Sequence, residues 1–114
     1  MEKYIKNVEH NQGFSLADSV DYLTGQIVSK TLSQNRYNSL TLFAFDKDEE
    51  ISAHESDGDA MVTALDGKAK ITIADKEYIV TAGETIVMPA KTPHAVYALE
   101  PFKMFLIVIF PENR

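Results

Sequence analysis

Cysteine is missing altogether from the 114 residues of this chain. Disulfide bonds, thiolate catalysis and cysteine-ligated zinc are therefore excluded. Any metal ion would have to be held by histidine nitrogen or by carboxylate, hydroxyl or water oxygen. Because the chain has only three histidines, the candidate nitrogen ligands are few.

Basic residues are also in short supply. Lys and Arg number 11 against 17 Asp and Glu, which gives a formal net charge of −6, and the basic residues form no run. A phosphate-binding surface needs clustered Lys and Arg, so nucleic acid is a poor candidate partner. Attraction to an anionic membrane surface is not expected, for the same reason.

Long apolar runs are absent too. Residues 1–12 contain none that could serve as a signal peptide. The longest apolar stretch, residues 104–111, is too short to cross a bilayer. We therefore expect a soluble, cytoplasmic protein. Neither a glycine-rich phosphate loop nor a Gly-x-Ser-x-Gly elbow occurs, which removes two common catalytic motifs.

What the chain does contain is a regular series of short extended segments. From residue 26 onward, β-forming stretches alternate with turn signals such as Asp57-Gly58, Asp66-Gly67 and Asp75-Lys76. This spacing of about nine short strands predicts an all-β antiparallel sandwich or barrel. The length fits one domain. Within it, we assign residues 1–35 to an N-terminal arm with a short helix and the first strand, and residues 36–114 to the barrel.

The arm contains one helix signal. Ser15 and Asp18 have the spacing of a capping box, and Leu16 and Val20 would share one face of the helix. Gly25 would follow its end. The pattern predicts a short N-terminal helix.

The last predicted strand, residues 102–110, is almost entirely apolar. A strand with one wet face should alternate, so either both faces are covered within the domain or one face meets a second subunit. Because uncovered apolar strands are prone to aggregate, we expect a homodimer. A fully intramolecular core is the alternative.

Two of the histidines lie at characteristic separations along the sequence from glycine and proline residues. His54 precedes Gly67, and His94 follows Gly83 and Pro89. These stretches resemble the two motifs of the cupin superfamily, in particular its small, single-domain, conserved-barrel (cupin 2-like, RmlC-like) members. The first motif, Gly-x5-His-x-His-x3–4-Glu-x6-Gly, fits residues 48–67. The second, Gly-x5-Pro-x-Gly-x2-His-x3-Asn, fits residues 83–98.

The resemblance implies the cupin fold, a double-stranded antiparallel β-helix or jelly-roll barrel, over most of the chain. It also implies a site in which three histidines and a glutamate ligate one divalent metal. Of these four ligands the chain keeps His54 and His94, because Ser56 and Ala60 stand at the other two positions. The remaining departures from the motifs are Asp48 and Lys91 at glycine positions and Ala98 at the asparagine position.

Two imidazoles alone make an incomplete metal site, since divalent ions normally need at least three protein ligands. Ser56, or Asp57 or Asp59 from the turn, could add an oxygen, although such aspartates are also ordinary turn residues. We expect His54 and His94 to contact either a small organic ligand or a divalent Fe, Mn, Ni or Zn ion. The alternative for each histidine is a buried, hydrogen-bonded imidazole.

Strand alternation extends this candidate site. If His54 points into the barrel, so does Ser56; Ala60 and Val62 then share the inner face, and Ala98 follows His94. Such small side chains leave either an apolar ligand pocket or a volume that bulky side chains from other strands fill. The bulky candidates are Phe43, Phe45, Met88 and Phe105.

The sequence therefore predicts a small cupin-barrel protein that binds a small organic ligand or a divalent metal through His54 and His94. It identifies no catalytic residue and no organic cofactor. The alternative function is a metal-dependent enzyme of isomerase, lyase or dioxygenase type with an incomplete histidine site. A third hypothesis, supported by the apolar last strand, is a structural or regulatory protein that binds another protein.

Overall fold

The computed structural model describes residues 3–113, which form nine antiparallel β-strands and one turn of 3-10 helix. The strands are β1 (Ile27–Gln34), β2 (Asn38–Phe45), β3 (Glu50–His54), β4 (Asp59–Asp66), β5 (Lys68–Ile73), β6 (Lys76–Thr81), β7 (Thr85–Met88), β8 (His94–Ala98) and β9 (Phe102–Ile109). Every pairing between them is antiparallel. The all-β architecture that the turn signals predicted is confirmed.

The strands form two sheets in the manner of a jelly roll. The larger has the order β1-β2-β9-β4-β7 and the smaller β3-β8-β5-β6. Apart from the hairpins β1–β2 and β5–β6, each connection along the chain passes from one sheet to the other. The inner faces of both sheets therefore meet in one core. The predicted boundary after residue 35 falls in the turn between β1 and β2 and stays a prediction.

The core is built by strand alternation and filled by large side chains. Ala60 and Val62 on β4 are buried, as the alternation predicted, and they pack in one cluster with Phe45 and Met88. Phe45 and Phe102 lie with their ring centroids 5.8 Å apart. The bulky and the small side chains thus share the inner face of the larger sheet, where Met88 is the direct cross-strand partner of Ala60.

One expected core residue lies elsewhere. Phe105 packs with Leu42 and Ala44 in a second cluster, on the outer face of the larger sheet. The pairing of β2 with β9 sets Leu42 opposite Phe105 and Phe43 opposite Met104. Because neighbouring residues of a strand point to opposite faces, Met104 enters the barrel and Phe105 cannot.

The segment before β1 covers this second cluster; from here on, the arm means its residues 3–23, a shorter segment than the predicted arm of residues 1–35, which included β1. Its only helix among the described residues is a single 3-10 turn, Ala17–Ser19. The N-cap residue is Leu16 and not the predicted Ser15, although the Asp18 amide does donate to Ser15 Oγ over 3.2 Å. The helix stops there because Val20 is extended and buried in the cluster. No helix within residues 3–113 is long and apolar enough to span a membrane.

Two lysines fasten this turn to the sheet. Lys30 Nζ donates to the Ser19 carbonyl over 2.9 Å, and Lys103 Nζ donates to the Ala17 carbonyl over 2.7 Å. Carbonyls at the end of a helix have no partner within it, so the two ammonium groups satisfy them.

The connection from β4 to β5 depends on a glycine. Gly67 has a φ of 77°, a left-handed conformation that side chains disfavour. A Cβ atom at this position would lie 1.8 Å from the carbonyl oxygen of Pro101. Gly25 has a similar φ of 68°, but a Cβ atom there would meet nothing within 4 Å.

The substitutions Gly67→Ala and Gly25→Ala should therefore differ in their effect on the free energy of unfolding. Gly25→Ala should cost only the left-handed strain, about 1–2 kcal/mol. Gly67→Ala adds a backbone clash, for a total of roughly 2–5 kcal/mol. Urea unfolding measures both losses, and equal losses would contradict the role assigned to the Pro101 contact.

Candidate ligand site at the histidine pair

His54 and His94 face each other across two neighbouring strands. They are direct partners in the pairing of β3 with β8. Their ring centroids lie 4.4 Å apart, with an angle of 67° between the ring planes. The structure thus brings together the two histidines that the sequence singled out.

A bulge in β3 makes this pairing possible. Ile51 pairs with Val96 and His54 with His94, so β3 uses three steps where β8 uses two. The extra residue is the mark of a β-bulge, which keeps Ile51 and His54 on the same face of the sheet. Without it, strict alternation would turn His54 away from His94.

The two imidazoles differ in burial. His94 is only 4% exposed, because β8 runs between β3 and β5 and the ring is flanked by His54 and Ile73. His54 lies on the edge strand β3 and is exposed. The pair therefore runs from the interior of the barrel to its surface, so a ligand could reach the rings from solvent.

Backbone carbonyls fix the same tautomer in both rings. Nδ1 of His54 lies 3.0 Å from the Ser52 carbonyl oxygen, and Nδ1 of His94 lies 3.1 Å from that of Thr92. A carbonyl oxygen only accepts, so each Nδ1 carries the proton and donates it. In a neutral ring, Nε2 then keeps its lone pair. Each histidine thus offers one acceptor atom.

The environment of His94 keeps its ring neutral. Burial lowers the pKa of His94 below its ordinary value. The hydrogen bond to the Thr92 carbonyl raises that pKa and so opposes the effect, while the neighbouring His54 lowers it further. Since the net shift is downward, His94 is a hydrogen-bond acceptor at Nε2 at neutral pH.

Two of the side chains that might have joined the histidines, Ser56 and Asp59, form hydrogen bonds elsewhere. Ser56 lies in the turn after β3, where its hydroxyl donates to the Gly58 carbonyl over 2.7 Å. Asp59 Oδ1 accepts the Ala90 amide over 2.8 Å. The Lys91 amide also donates to the Ser56 carbonyl, over 2.8 Å. These contacts join the loops of the two motif stretches and so support the histidine pair.

This donor set does not fit a metal ion held by the protein alone. Within residues 3–113, no group of three or more His, Cys, Asp or Glu is placed to hold a metal ion. Two neutral imidazoles supply fewer ligands than a firmly bound divalent ion normally needs, and they do not compensate its charge.

The remaining predicted pocket residues belong to the packed core. Ala60, Val62 and Ala98 are at most 2% exposed and share one cluster with the large side chains. Two cavities, of about 500 and 290 Å³, lie along the N-terminal arm, and neither is lined by His54 or His94. The predicted pocket residues thus form packed core and line neither of these two cavities.

The motif glycines are replaced without loss of the backbone turn. Asp48 and Lys91, at two glycine positions, have φ values of 70° and 59°. Asp48 is held by the Tyr97 hydroxyl, which donates to Asp48 Oδ1 over 2.8 Å, and by its own amide, which donates to the Ala98 carbonyl over 2.8 Å. Hydrogen bonds thus stabilise the Asp48 conformation, which glycine would adopt more easily.

Sequence reasoning missed the groups that orient the rings. The carbonyls of Ser52 and Thr92 each lie two residues before a histidine. No residue type marks a backbone carbonyl as a partner, so the spacing alone gave no signal. Tyr97 was missed because its partner Asp48 is distant in the chain.

Comparison with known proteins agrees with this geometry. The family model of the cupin domain matches residues 41–110. A conserved Streptococcus pyogenes protein of unknown function is 48% identical, with 97% of each chain covered and a TM-score of 0.95. A cupin superfamily protein from Desulfitobacterium hafniense is 28% identical, covering 94% of this chain and 98% of that one, with a TM-score of 0.90.

A third structure matches only in part. A cupin 2 conserved barrel domain protein from Leptotrichia buccalis is 44% identical over 84% of this chain, with a TM-score of 0.82. The match spans 47% of that longer chain. The search of curated proteins gave no significant match.

The lowered pKa of His94 predicts how stability depends on pH. The unfolded chain binds a proton at His94 near pH 6.5, whereas the folded chain binds it only at lower pH. Stability from this group is therefore complete above about pH 6.5 and is lost as the pH falls toward the folded-state pKa. His94→Gln should flatten the decline of Tm between pH 7.5 and 5, as measured by circular dichroism. An unchanged decline would contradict this assignment.

Proposed function

The chain belongs to the cupin family, and we propose that it is a small cupin whose His54–His94 pair binds a small organic ligand at the mouth of the barrel. The observation that carries this proposal is the common tautomer of the two facing rings. In this tautomer each ring presents an Nε2 lone pair that accepts hydrogen bonds. The ligand should therefore present hydroxyl or amine donors, as polyols, sugars and amino alcohols do.

The surroundings of the pair suit such a ligand. The buried His94 and the adjacent, partly buried Ile73 supply one wall, while the exposed His54 leaves the outer side accessible to solvent. Apolar walls with a few placed polar atoms are the usual form of a small-molecule site. Nothing in this arrangement requires a third protein ligand.

Metal binding is the second candidate. Histidines that bind metals usually donate their other ring nitrogen to a carbonyl or carboxylate, and both rings here do so. A divalent Fe, Mn, Ni or Zn ion at His54 and His94 would need water or ligand oxygens to complete its coordination. An enzyme of isomerase, lyase or dioxygenase type would rest on such a site, with the metal supplying Lewis-acid or redox chemistry.

Ligand-detected NMR against a panel of sugars, polyols and amino alcohols, with EDTA present, tests the first candidate. His54→Ala and His94→Ala should each weaken binding of a hit about tenfold or more, since each removes one of the two hydrogen-bond acceptors of the pair. His10→Ala, at the remaining histidine in the exposed arm, is the matched control and should bind as the wild type does.

Two outcomes would separate the candidates. Wild-type affinity in both site variants would show that the ligand binds elsewhere and would reject the pair as its site. Elemental analysis of protein purified without a histidine tag tests whether a metal ion is bound. A near-stoichiometric ion that is lost in both His54→Ala and His94→Ala would favour the second candidate.

We also propose that the chain forms a homodimer through the outer face of the larger sheet. Leu40, Ile107, Met61 and Val87 are successive cross-strand partners on β2, β9, β4 and β7, so they form one apolar row. Met61 and Val87 are 38% and 52% exposed, and the neighbouring Ile109 is 58% exposed. A row across four strands is matched by the same row of a second copy, as a two-fold interface requires.

A charge placed in this row should separate the subunits. The double substitution Met61→Lys/Val87→Lys should shift the mass from twice 12.7 kDa to 12.7 kDa in size-exclusion chromatography with light scattering, because buried lysines would lose hydration. Ile79→Lys changes an equally exposed apolar residue on the other sheet and should leave the dimer intact. A wild-type monomer, or a dimer that survives the double substitution, would reject this interface.

A further inference from the structure

A groove separate from the histidine pair runs between the N-terminal arm and β1. Its main cavity has a volume of about 500 Å³, and a second of about 290 Å³ adjoins it. The two cavities share five lining residues and so form one groove, which we call the arm groove: Ile5, Val8, Glu9, Gln12 and Phe14. A volume of this size suits a small molecule.

The arm groove is basic although the protein is acidic. Of the described residues that line its main cavity, Lys3, Lys6 and Lys30 carry positive charge and only Glu9 carries negative charge. The whole chain has a formal charge of −6. Concentrating cations beside a low-dielectric wall attracts anions to that place.

Hydrogen bonds hold the arm against the strand, so the groove is formed before a ligand arrives. The Lys6 amide donates to the Leu32 carbonyl, and Asn7 Nδ2 donates to the Thr31 carbonyl, each over 2.7 Å. His10 Nε2 donates to the Ile5 carbonyl, also over 2.7 Å, and so closes the loop of the arm. A preformed site loses less entropy on binding than a flexible one.

One ammonium group is fixed in the wall of the groove. Lys30 is partly buried on β1, and its Nζ donates to the Ser19 carbonyl. An ammonium group has three N–H donors, so this contact leaves two of them for a ligand. Lys3 and Lys6 line the same cavity from the arm.

Apolar surface lies beside these charges. Ile5 and Phe14 remain 46% and 48% exposed although both line the groove. We propose that the arm groove binds a small anionic amphiphile, with a carboxylate or phosphate head at Lys3, Lys6 and Lys30 and an apolar body on Ile5 and Phe14. This site is independent of the ligand proposed for the histidine pair, whose acceptor atoms call for hydrogen-bond donors.

A pair of dyes tests both halves of this proposal. The probe is 1-anilinonaphthalene-8-sulfonate, and its control is N-phenyl-1-naphthylamine, which has the same aromatic body without the anionic group. Lys3→Gln/Lys6→Gln should weaken the sulfonate dye about tenfold or more while leaving the neutral dye unchanged. Lys30 is kept because its ammonium also holds the arm.

Three further variants complete the experiment. Lys47→Gln/Lys76→Gln removes two exposed lysines outside the groove and should leave both dyes unchanged. His54→Ala/His94→Ala should also leave them unchanged, which separates this site from the barrel. Phe14→Ala should weaken both dyes, since each stacks the same aromatic body on this residue.

Several results would overturn the proposal. One is the absence of saturable binding of the sulfonate dye up to about 1 mM, because a Kd above that concentration is too weak for a built site. The proposal would also fail if binding of the sulfonate dye survived Lys3→Gln/Lys6→Gln, if its affinity equalled that of the neutral dye, or if binding vanished in His54→Ala/His94→Ala. Cosedimentation with phosphatidylglycerol vesicles and no binding of the free dye would instead indicate a membrane surface as the partner.

Discussion

The pairing of β9 with both β2 and β4 is the contact on which the rest of the structure depends. The last strand of the chain is the central strand of the larger sheet, so the sheet cannot be completed before the C-terminal segment arrives. Its inner face gives Phe102 and Met104 to the barrel core, while its outer face gives Phe105 to the cluster under the arm. Contacts so distant in sequence are entropically costly to form, and burial on both faces offsets that cost.

In the smaller sheet, the order of the strands likewise determines how deeply each histidine is buried. Because β8 lies between β3 and β5, His94 is buried, whereas His54 stays at the edge. The loops beside them are joined by two hydrogen bonds, in which the Ser56 carbonyl accepts the Lys91 amide and the Asp59 carboxylate accepts the Ala90 amide. The scaffold of a cupin site therefore persists with a reduced donor set, in which each ring presents Nε2 away from the carbonyl that holds its Nδ1.

The sequence predicted most of the fold, because strand alternation and turn residues are local signals. Ala60 and Val62 are buried as expected, and Gly67 occupies the turn that its type indicated. Phe105 was assigned to the wrong face of the sheet. The reason is that β9 is apolar on both faces, so hydrophobicity alone could not fix its register. The pairing of β9 with β2 determines the face of the sheet on which Phe105 lies.

For the candidate site, motif spacing predicted that His54 and His94 lie close together, but the orientation of their rings could not be predicted from the sequence. The bulge in β3 arises from pairing with β8, and the tautomers arise from the carbonyls of Ser52 and Thr92. Both are properties of the backbone in three dimensions. The predicted short helix likewise proved to be a single 3-10 turn, because burial of Val20 in the cluster overrides continuation of the helix.

Buried contacts and a hydrogen bond also join the arm to the barrel. Leu42 and Ala44 are fully buried only because the arm lies over them. At the far end of the arm, the Tyr22 hydroxyl donates to Asp66 Oδ2 over 2.6 Å, next to the turn at Gly67. Burial, together with this bond and the charge of Asp66, raises the pKa of Tyr22, so the hydroxyl stays a donor at physiological pH. The groove that the arm forms with β1 is consequently a built part of the structure, since the contacts that hold the arm also cover part of the outer face of the larger sheet.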